Sequence, residues 1–340
     1  MLGVAKLFRA PVAIGLLVLG VALATTLLIE NLRHRVRTER QESKRKIFNY
    51  AAWALIGIPL VCAFVAALAP ATGKDALVYR LVLPQSYVAA GSFVDTPRNV
   101  YSFLALGAEM NGVWAMLIGK VINAHVAEVA FCVLAFAYFP LLVMLVYGWA
   151  RESKLSHASA LAAAAMVAGI PTIYQVAASG YADHVLAIYL ALGIRAASRW
   201  WSTLNHRWLV TIALALGFAL TIKLIAIFIC LPLLLMFLLK ARNAQQQCSE
   251  KSNAILLNGM LALVCAGMLA SPWYIRTWMK TGNPVYPFYV NVLGGSAEGW
   301  DSERSQLFQI FLSRYGGESK SVLDYVIAPV KLSLQAHPEI

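Results

Sequence analysis

Charge is scarce in this chain. Only 13% of its residues are charged, and acids are the scarcer sign, with 16 Asp and Glu against 28 Lys and Arg. A soluble domain carries about 25% charged residues, so a water-exposed globule of 340 residues is excluded. Strict alternation of apolar and polar residues is also missing, which removes a transmembrane β-barrel. The five cysteines, Cys62, Cys132, Cys230, Cys248 and Cys265, are scattered and form neither a CxxC pair nor a Cys/His metal spacing. Four of them lie inside apolar runs and read as small core residues. Walker and GxGxxG motifs, heptad arrays and internal repeats are absent as well.

Hydrophobicity takes the place of charge. Hydrophobic residues make up 60% of the chain, with a mean hydropathy of +0.67, and the apolar runs approach the roughly 20 residues that cross a bilayer. These features define an all-α, polytopic integral membrane protein. A net charge of +12 in a soluble chain would suggest nucleic acid as partner. Here much of it lies in short segments between apolar runs, where it sets topology instead, so membrane lipids and no nucleic acid are the expected surroundings.

Eight spans are expected. The first is 10–29, and its VALATT end faintly resembles a cleavage site. The next stretch, 33–46, holds seven cations, which favours retention as an anchor with that stretch cytoplasmic. Further spans lie at 51–69, 126–149, 156–178 with a kink at Pro171, 183–197 and 254–270. The apolar block 208–239 is too long for one span, and Lys223 divides it into two short ones. Residues 101–123, with Glu109, Asn111 and Lys120, read as a peripheral or partly immersed helix, with a full span as the alternative. The expected organisation is an anchor with its basic loop (1–48), a transmembrane core (49–271) and an external C-terminal segment (272–340).

The interval 71–111 is the expected chemical centre. It carries Lys74, Asp75, Arg80, Asp95, Arg98 and Glu109, and hairpins between spans need only a few residues. Its apolar spacing (Leu77, Leu81, Leu83, Tyr87) suggests short helices lying on the membrane surface. The topology places this interval externally, together with Asp183 at a turn and Lys223 inside the long apolar block. Burying an ionisable group in hydrocarbon costs at least about 2.5 kcal/mol. A cluster of Asp75, Asp183 and Lys223 would therefore line a cavity for an anionic, membrane-borne substrate. The plainer alternative has Asp183 capping a helix and Lys223 snorkelling. After 270, Ser271-Pro272 and Asn283-Pro284 are expected to break helices, and Trp273, Tyr274, Trp278, Tyr286 and Tyr289 suit an interfacial belt. Arg276 and Lys280, four apart, could pair with a phosphate.

Four motifs in order resemble the GT-C glycosyltransferases, especially the bacterial relatives of protein O-mannosyltransferases and of the lipid A aminoarabinose transferase. They are Asp75-Ala-Leu-Val-Tyr79 with Pro84 and Gly91, Gly180-Tyr-Ala-Asp183, Gly217-Phe-Ala-Leu-Thr-Ile-Lys223, and Ser271-Pro-Trp-Tyr-Ile-Arg276 with Gly282-Asn-Pro-Val-Tyr-Pro287 after it. The resemblance implies inverting transfer of a sugar from a polyprenyl-phosphate donor to an acceptor hydroxyl on a lipid, glycan or protein, at the external face of a bacterial inner membrane. It implies Asp75 as the catalytic carboxylate, with Tyr79, Arg80, Asp183, Lys223 and Arg276 around the substrate. It also implies a divalent metal ion near Glu109. His184, alone beside a turn, reads as structural. Two departures stand out: Ala76 and Arg80 flank the first motif where many relatives carry an acid or His, and the chain ends at Ile340 where relatives continue into further helices. A transporter or flippase of a lipid-linked substrate, or a shortened non-catalytic relative, are the competing expectations. Transport would favour ionisable groups near the midplane and repeated halves, neither of which the sequence carries.

Overall fold

The computed structural model describes residues 9–35, 46–96, 98–245 and 249–314, with 321, 323, 324 and 327. Much of the basic stretch 33–46, Cys248 and the last residues lie outside that set. The regular structure among the described residues is helical, apart from an isolated bridge between Ala297 and Trp300. They divide into two compact units, Met1–Thr96 with Ala105–Trp273, and Pro97–Leu104 with Tyr274–Ile340.

The first unit contains α1 (Ala10–Arg35), α2 (Lys46–Ala67), α3 (Val82–Ala90), α4 (Gly107–Gly119), α5 (Ala124–Glu152), α6 (His157–Ala168), α7 (Pro171–Ala178), α8 (Asp183–Thr203), α9 (Arg207–Ile222), α10 (Cys230–Gln245) and most of α11 (Ser249–Thr281). Four of the described helices are long and apolar enough to cross a membrane, within α2, α5, α10 with the turn before it, and α11. The α6–α7 pair, bent by 59°, makes a fifth if it is one span. Of the eight expected spans, α9 has 16 residues and α8 carries Arg195 and Arg199.

Small residues set the packing. α2, α5, α6 and α7 share a core in which Ala52, Ala63, Ala164, Ala165, Ala168 and Ala177 meet Ile56, Phe139, Val143 and Leu161. Without a hydrophobic drive between helices in lipid, such close approach is what gives dispersion contact. α4 is held still closer. At Gly112 a methyl group would overlap the Phe131 ring of α5, and at Gly107 it would come within 2.8 Å of the Thr221 carbonyl on α9.

Prolines behave differently at two places. Pro171 opens α7 and accounts for the bend after α6, as expected. Pro272, expected to end a helix, lies inside α11. The missing N–H of Pro272 strands the Met268 carbonyl, and the Ser271 hydroxyl donates to that carbonyl at 2.8 Å. The helix therefore continues to Thr281.

The second unit is built on the last turns of α11, with α12 (Val290–Leu293) and α13 (Ser302–Arg314). Val100, Tyr286 and Val290 form its core, with Tyr101, Phe103 and Trp300 against them. Tyr286 is thus a core residue rather than part of an interfacial belt, and its hydroxyl donates to the Trp300 carbonyl at 2.6 Å. Asn283, fully buried, ties the loop together: its amide donates to the Phe288 and Gly294 carbonyls, and its Oδ1 accepts from the Val285 N–H.

Candidate functional site

The segment after α2 does not lie flat on a surface. Residues 76–80 form one wide turn closed by a Leu81 N–H to Ala76 carbonyl bond of 2.9 Å, five residues apart. Such π turns recur at functional sites. This one turns Tyr79, Arg80 and Leu81 into the protein, and Leu83 and Tyr87 of α3 continue the buried face, while Leu77 stays exposed. The apolar spacing that suggested surface helices is therefore core spacing, with Leu77 the exception.

Asp75 sits at the start of that turn, half-buried. Four residues on, the Tyr79 hydroxyl donates to Asp75 Oδ2 at 3.3 Å, as residues one turn apart on one face can do. The Asp75 N–H donates to the Tyr181 hydroxyl at 3.4 Å. Tyr181 also closes over Gly73, where a Cβ would lie 2.7 Å from its ring. Burial holds the Tyr79 phenol far above its ordinary range, with Arg80 opposing and Asp75 adding to the rise. Tyr79 therefore remains a neutral donor toward Asp75.

Arg80 is the hub. It is 2% exposed, pairs with Glu109 (3% exposed) through Nη1 and Oε1, and stacks over the rings of Tyr79 at 4.8 Å and Tyr181 at 5.6 Å. Burial pulls the guanidinium down, but Glu109 first, then Tyr79, Asp183 and Asp75, hold it above its ordinary value. Arg80 Nε and Glu109 Oε2 have no hydrogen-bond partner among the described residues. Glu109 also faces a small pocket whose walls include Asn111, Gly112, Phe131, Tyr138 and Tyr181.

Glu109 was expected as a metal ligand, and its surroundings do not fit that role. One oxygen is taken by Arg80. Among the described residues no three His, Cys, Asp or Glu side chains gather into a possible ligand set.

Asp183 opens α8, but its carboxylate does not cap the helix. It accepts from Lys223 Nζ at 2.6 Å. Lys223 stands at the break in the long apolar block, with extended backbone (φ −148°, ψ 137°) between α9 and a short 3-10 turn. The break falls where the sequence placed it, and Lys223 is paired rather than snorkelling. Both side chains stay accessible, Lys223 at 34% and Asp183 at 45%. His184 is buried, with Nε2 at 2.6 Å from the Ala135 carbonyl, a structural contact as expected.

Six of the seven expected site residues, Asp75, Tyr79, Arg80, Glu109, Asp183 and Lys223, thus belong to the first unit. Three of its segments converge there: the π turn, the α7–α8 turn and the α9 break. Arg276 belongs to the second unit, where it donates to the Ser102 carbonyl at 2.8 Å, beside a 2.6 Å bond from Thr277 to the Phe103 carbonyl. Tyr181 was not expected. The signal for it was the Gly180-Tyr-Ala-Asp183 motif, read only for its acid.

Residues 110–274 match the family described as dolichyl-phosphate-mannose-protein mannosyltransferase. The matched stretch contains Tyr181, Asp183 and Lys223 and leaves Asp75, Glu109 and Arg276 outside it. No curated protein and no solved structure matches the chain. The apolar helices are those of an integral membrane protein, and just under half of the chain is similar to a glycosyltransferase family.

Proposed function

We propose that the protein transfers a sugar from a polyprenyl-phosphate donor to an acceptor hydroxyl at the external face of the membrane. The observation that carries this reading is the convergence of three segments of the first unit. The half-buried Asp75 has its carboxylate held by the Tyr79 hydroxyl and its backbone N–H by the Tyr181 hydroxyl, and an accessible lysine stands at a helix break within an apolar block.

In this reading Asp75 takes the proton of the acceptor hydroxyl as its oxygen attacks the anomeric carbon. The bond from that carbon to the phosphate oxygen breaks with inversion, and the leaving electron pair stays on the lipid phosphate. Tyr79 and Tyr181 orient Asp75 from either side of its residue. Lys223 stabilises the charge on the leaving phosphate. Asp183 holds Lys223 in the donor's absence, so a phosphate must displace a carboxylate to be gripped. Arg80, neutralised by Glu109, stacks on Tyr79 and Tyr181 and so fixes both rings beside Asp75.

The test is transfer from a radiolabelled polyprenyl-phosphate sugar by the reconstituted chain, compared with Asp75→Asn. A positioned general base contributes about 10²–10⁴-fold, and a loss of that size with donor binding intact is expected. Undiminished transfer by Asp75→Asn would remove Asp75 from the chemistry. Failure of the wild-type chain to bind the donor would remove the substrate class.

A further inference from the structure

We infer that the end of the first unit where α5, α8 and α10 finish and α6 and α9 begin binds the headgroup phosphate of an anionic phospholipid. This site is separate from the Asp75 cluster, and the inference does not depend on the reaction proposed above.

Five helix ends meet here. Trp200 of α8 is buried edge-to-face on Phe237 of α10, with ring centroids 5.0 Å apart. One residue on, the Trp201 ring lies under Lys240 Nζ at 4.8 Å. On the other side the Arg195 guanidinium stands 5.8 Å from the Trp208 ring of α9. Arg195 and Arg199 both reach Glu152 at the end of α5, Arg195 through Nε at 2.8 Å and Arg199 at 3.5 Å. Glu152 is the sole acid among the described residues of these ends, and these two arginines already share it. Arg207, Lys240, Arg151, Lys154 and Arg242 remain as further cations, and all but the partly buried Lys240 are exposed. Seven cations against one acid leave a local excess of +6.

An excess of that size repels itself unless an anion joins it. The anion is a lipid's because exposed apolar side chains stand within a turn of these cations. Leu238 and Leu239 precede Lys240, Val210 lies one turn after Arg207, and Leu155 comes directly after Lys154, all exposed. Cations within a turn of exposed apolar side chains match a phosphate with acyl chains beside it. Tryptophan rings with a cation over the face suit the headgroup level. Basic pockets between helices on one side of a membrane protein hold anionic headgroups in this manner.

The experiment uses the purified full chain in a neutral detergent, with phosphatidylglycerol and phosphatidylcholine competing, and bound lipid counted by native mass spectrometry. Nearby cations each strengthen the attraction to an anionic headgroup, so wild type should retain phosphatidylglycerol about tenfold or more over phosphatidylcholine. The triple variant Arg199→Gln, Arg207→Gln, Lys240→Gln should bind the two alike. Lys120→Gln, which removes an exposed cation at the other end of α5, should keep the preference. In wild type alone the preference should shrink as salt rises, which gives a readout even if the triple variant does not fold. Equal retention by wild type, a preference that salt leaves unchanged, or a triple variant that keeps it would overturn the inference. So would full displacement by millimolar inorganic phosphate, which would mark a simple anion site.

Discussion

Removing the Glu109 side chain should be among the most damaging single changes in the first unit, and replacing its partner as well should undo part of the damage. Arg80 and Glu109 are 2% and 3% exposed, and the guanidinium is charged at every accessible pH. In Glu109→Ala it loses its paired carboxylate while remaining buried. Breaking such a pair from one side costs about 3–5 kcal/mol. The fields of Asp75 and Asp183 still reach Arg80, and the stacking on Tyr79 and Tyr181 survives, so the cost should fall near the lower figure, about 3 kcal/mol. Replacing both groups with apolar side chains of similar volume is often close to neutral. The double variant Arg80→Met, Glu109→Leu should therefore be more stable than Glu109→Ala by about 2 kcal/mol. Glu109→Gln keeps an acceptor for Nη1 and should fall between wild type and Glu109→Ala. Reversible unfolding in mixed micelles, monitored by circular dichroism, would measure all four forms. A cost below about 1 kcal/mol for Glu109→Ala, or a double variant no more stable than Glu109→Ala, would refute the reasoning.

Other expectations are smaller in scope. Lys223→Met should raise KM for a polyprenyl-phosphate donor by about tenfold or more, consistent with the loss of one charge-assisted contact of roughly 1.5–3 kcal/mol, and steady-state kinetics with a donor titration would read it. Gly107→Ala forces a methyl group to within 2.8 Å of the Thr221 carbonyl, and overpacking of that kind costs about 1–3 kcal/mol; an unchanged melting temperature would count against the α4–α9 contact. Asn283→Ala removes the side-chain partner of three backbone groups in a part-buried loop, at about 1 kcal/mol each, and limited proteolysis should then cut the 282–296 loop first. Ser271→Ala should cost about 1 kcal/mol by exposing the Met268 carbonyl opposite Pro272, and the loss should vanish in a Pro272→Ala background.

Local features were legible in the sequence. Hydropathy runs gave α2, α5 and α11, Pro171 gave the bend after α6, and Lys223 in unbroken hydrocarbon gave the break at the end of α9. Each is a property of a short window. The helix through Pro272 was hidden because a single hydroxyl one residue earlier makes good the missing donor, and proline alone signals the opposite. The Arg80–Glu109 pair was hidden for a different reason. Its members are 29 residues apart, and each looked like a separate ligand for something external. The π turn that aims Arg80 inward leaves no pattern of its own, since one extra residue in a helical turn shifts the buried face without changing composition. Tyr181 stands two residues before Asp183, and a tyrosine beside a turn carries no signal of the backbone N–H it will accept from.

The break at Lys223 has a consequence for the lipid around the protein. α9 has 16 residues and at 1.5 Å per residue is about 24 Å long, short of a hydrocarbon core of about 30 Å. Where it stops, extended backbone and an ammonium–carboxylate pair stand partly accessible, and hydrocarbon cannot satisfy either. Water must therefore reach down to that level, and the leaflet beside it must be dimpled. A lipid at the edge of such a dimple can lower its headgroup to Lys223 while its tails stay among their neighbours. The helix break would then work as a landing that spares a membrane-bound substrate from leaving the membrane.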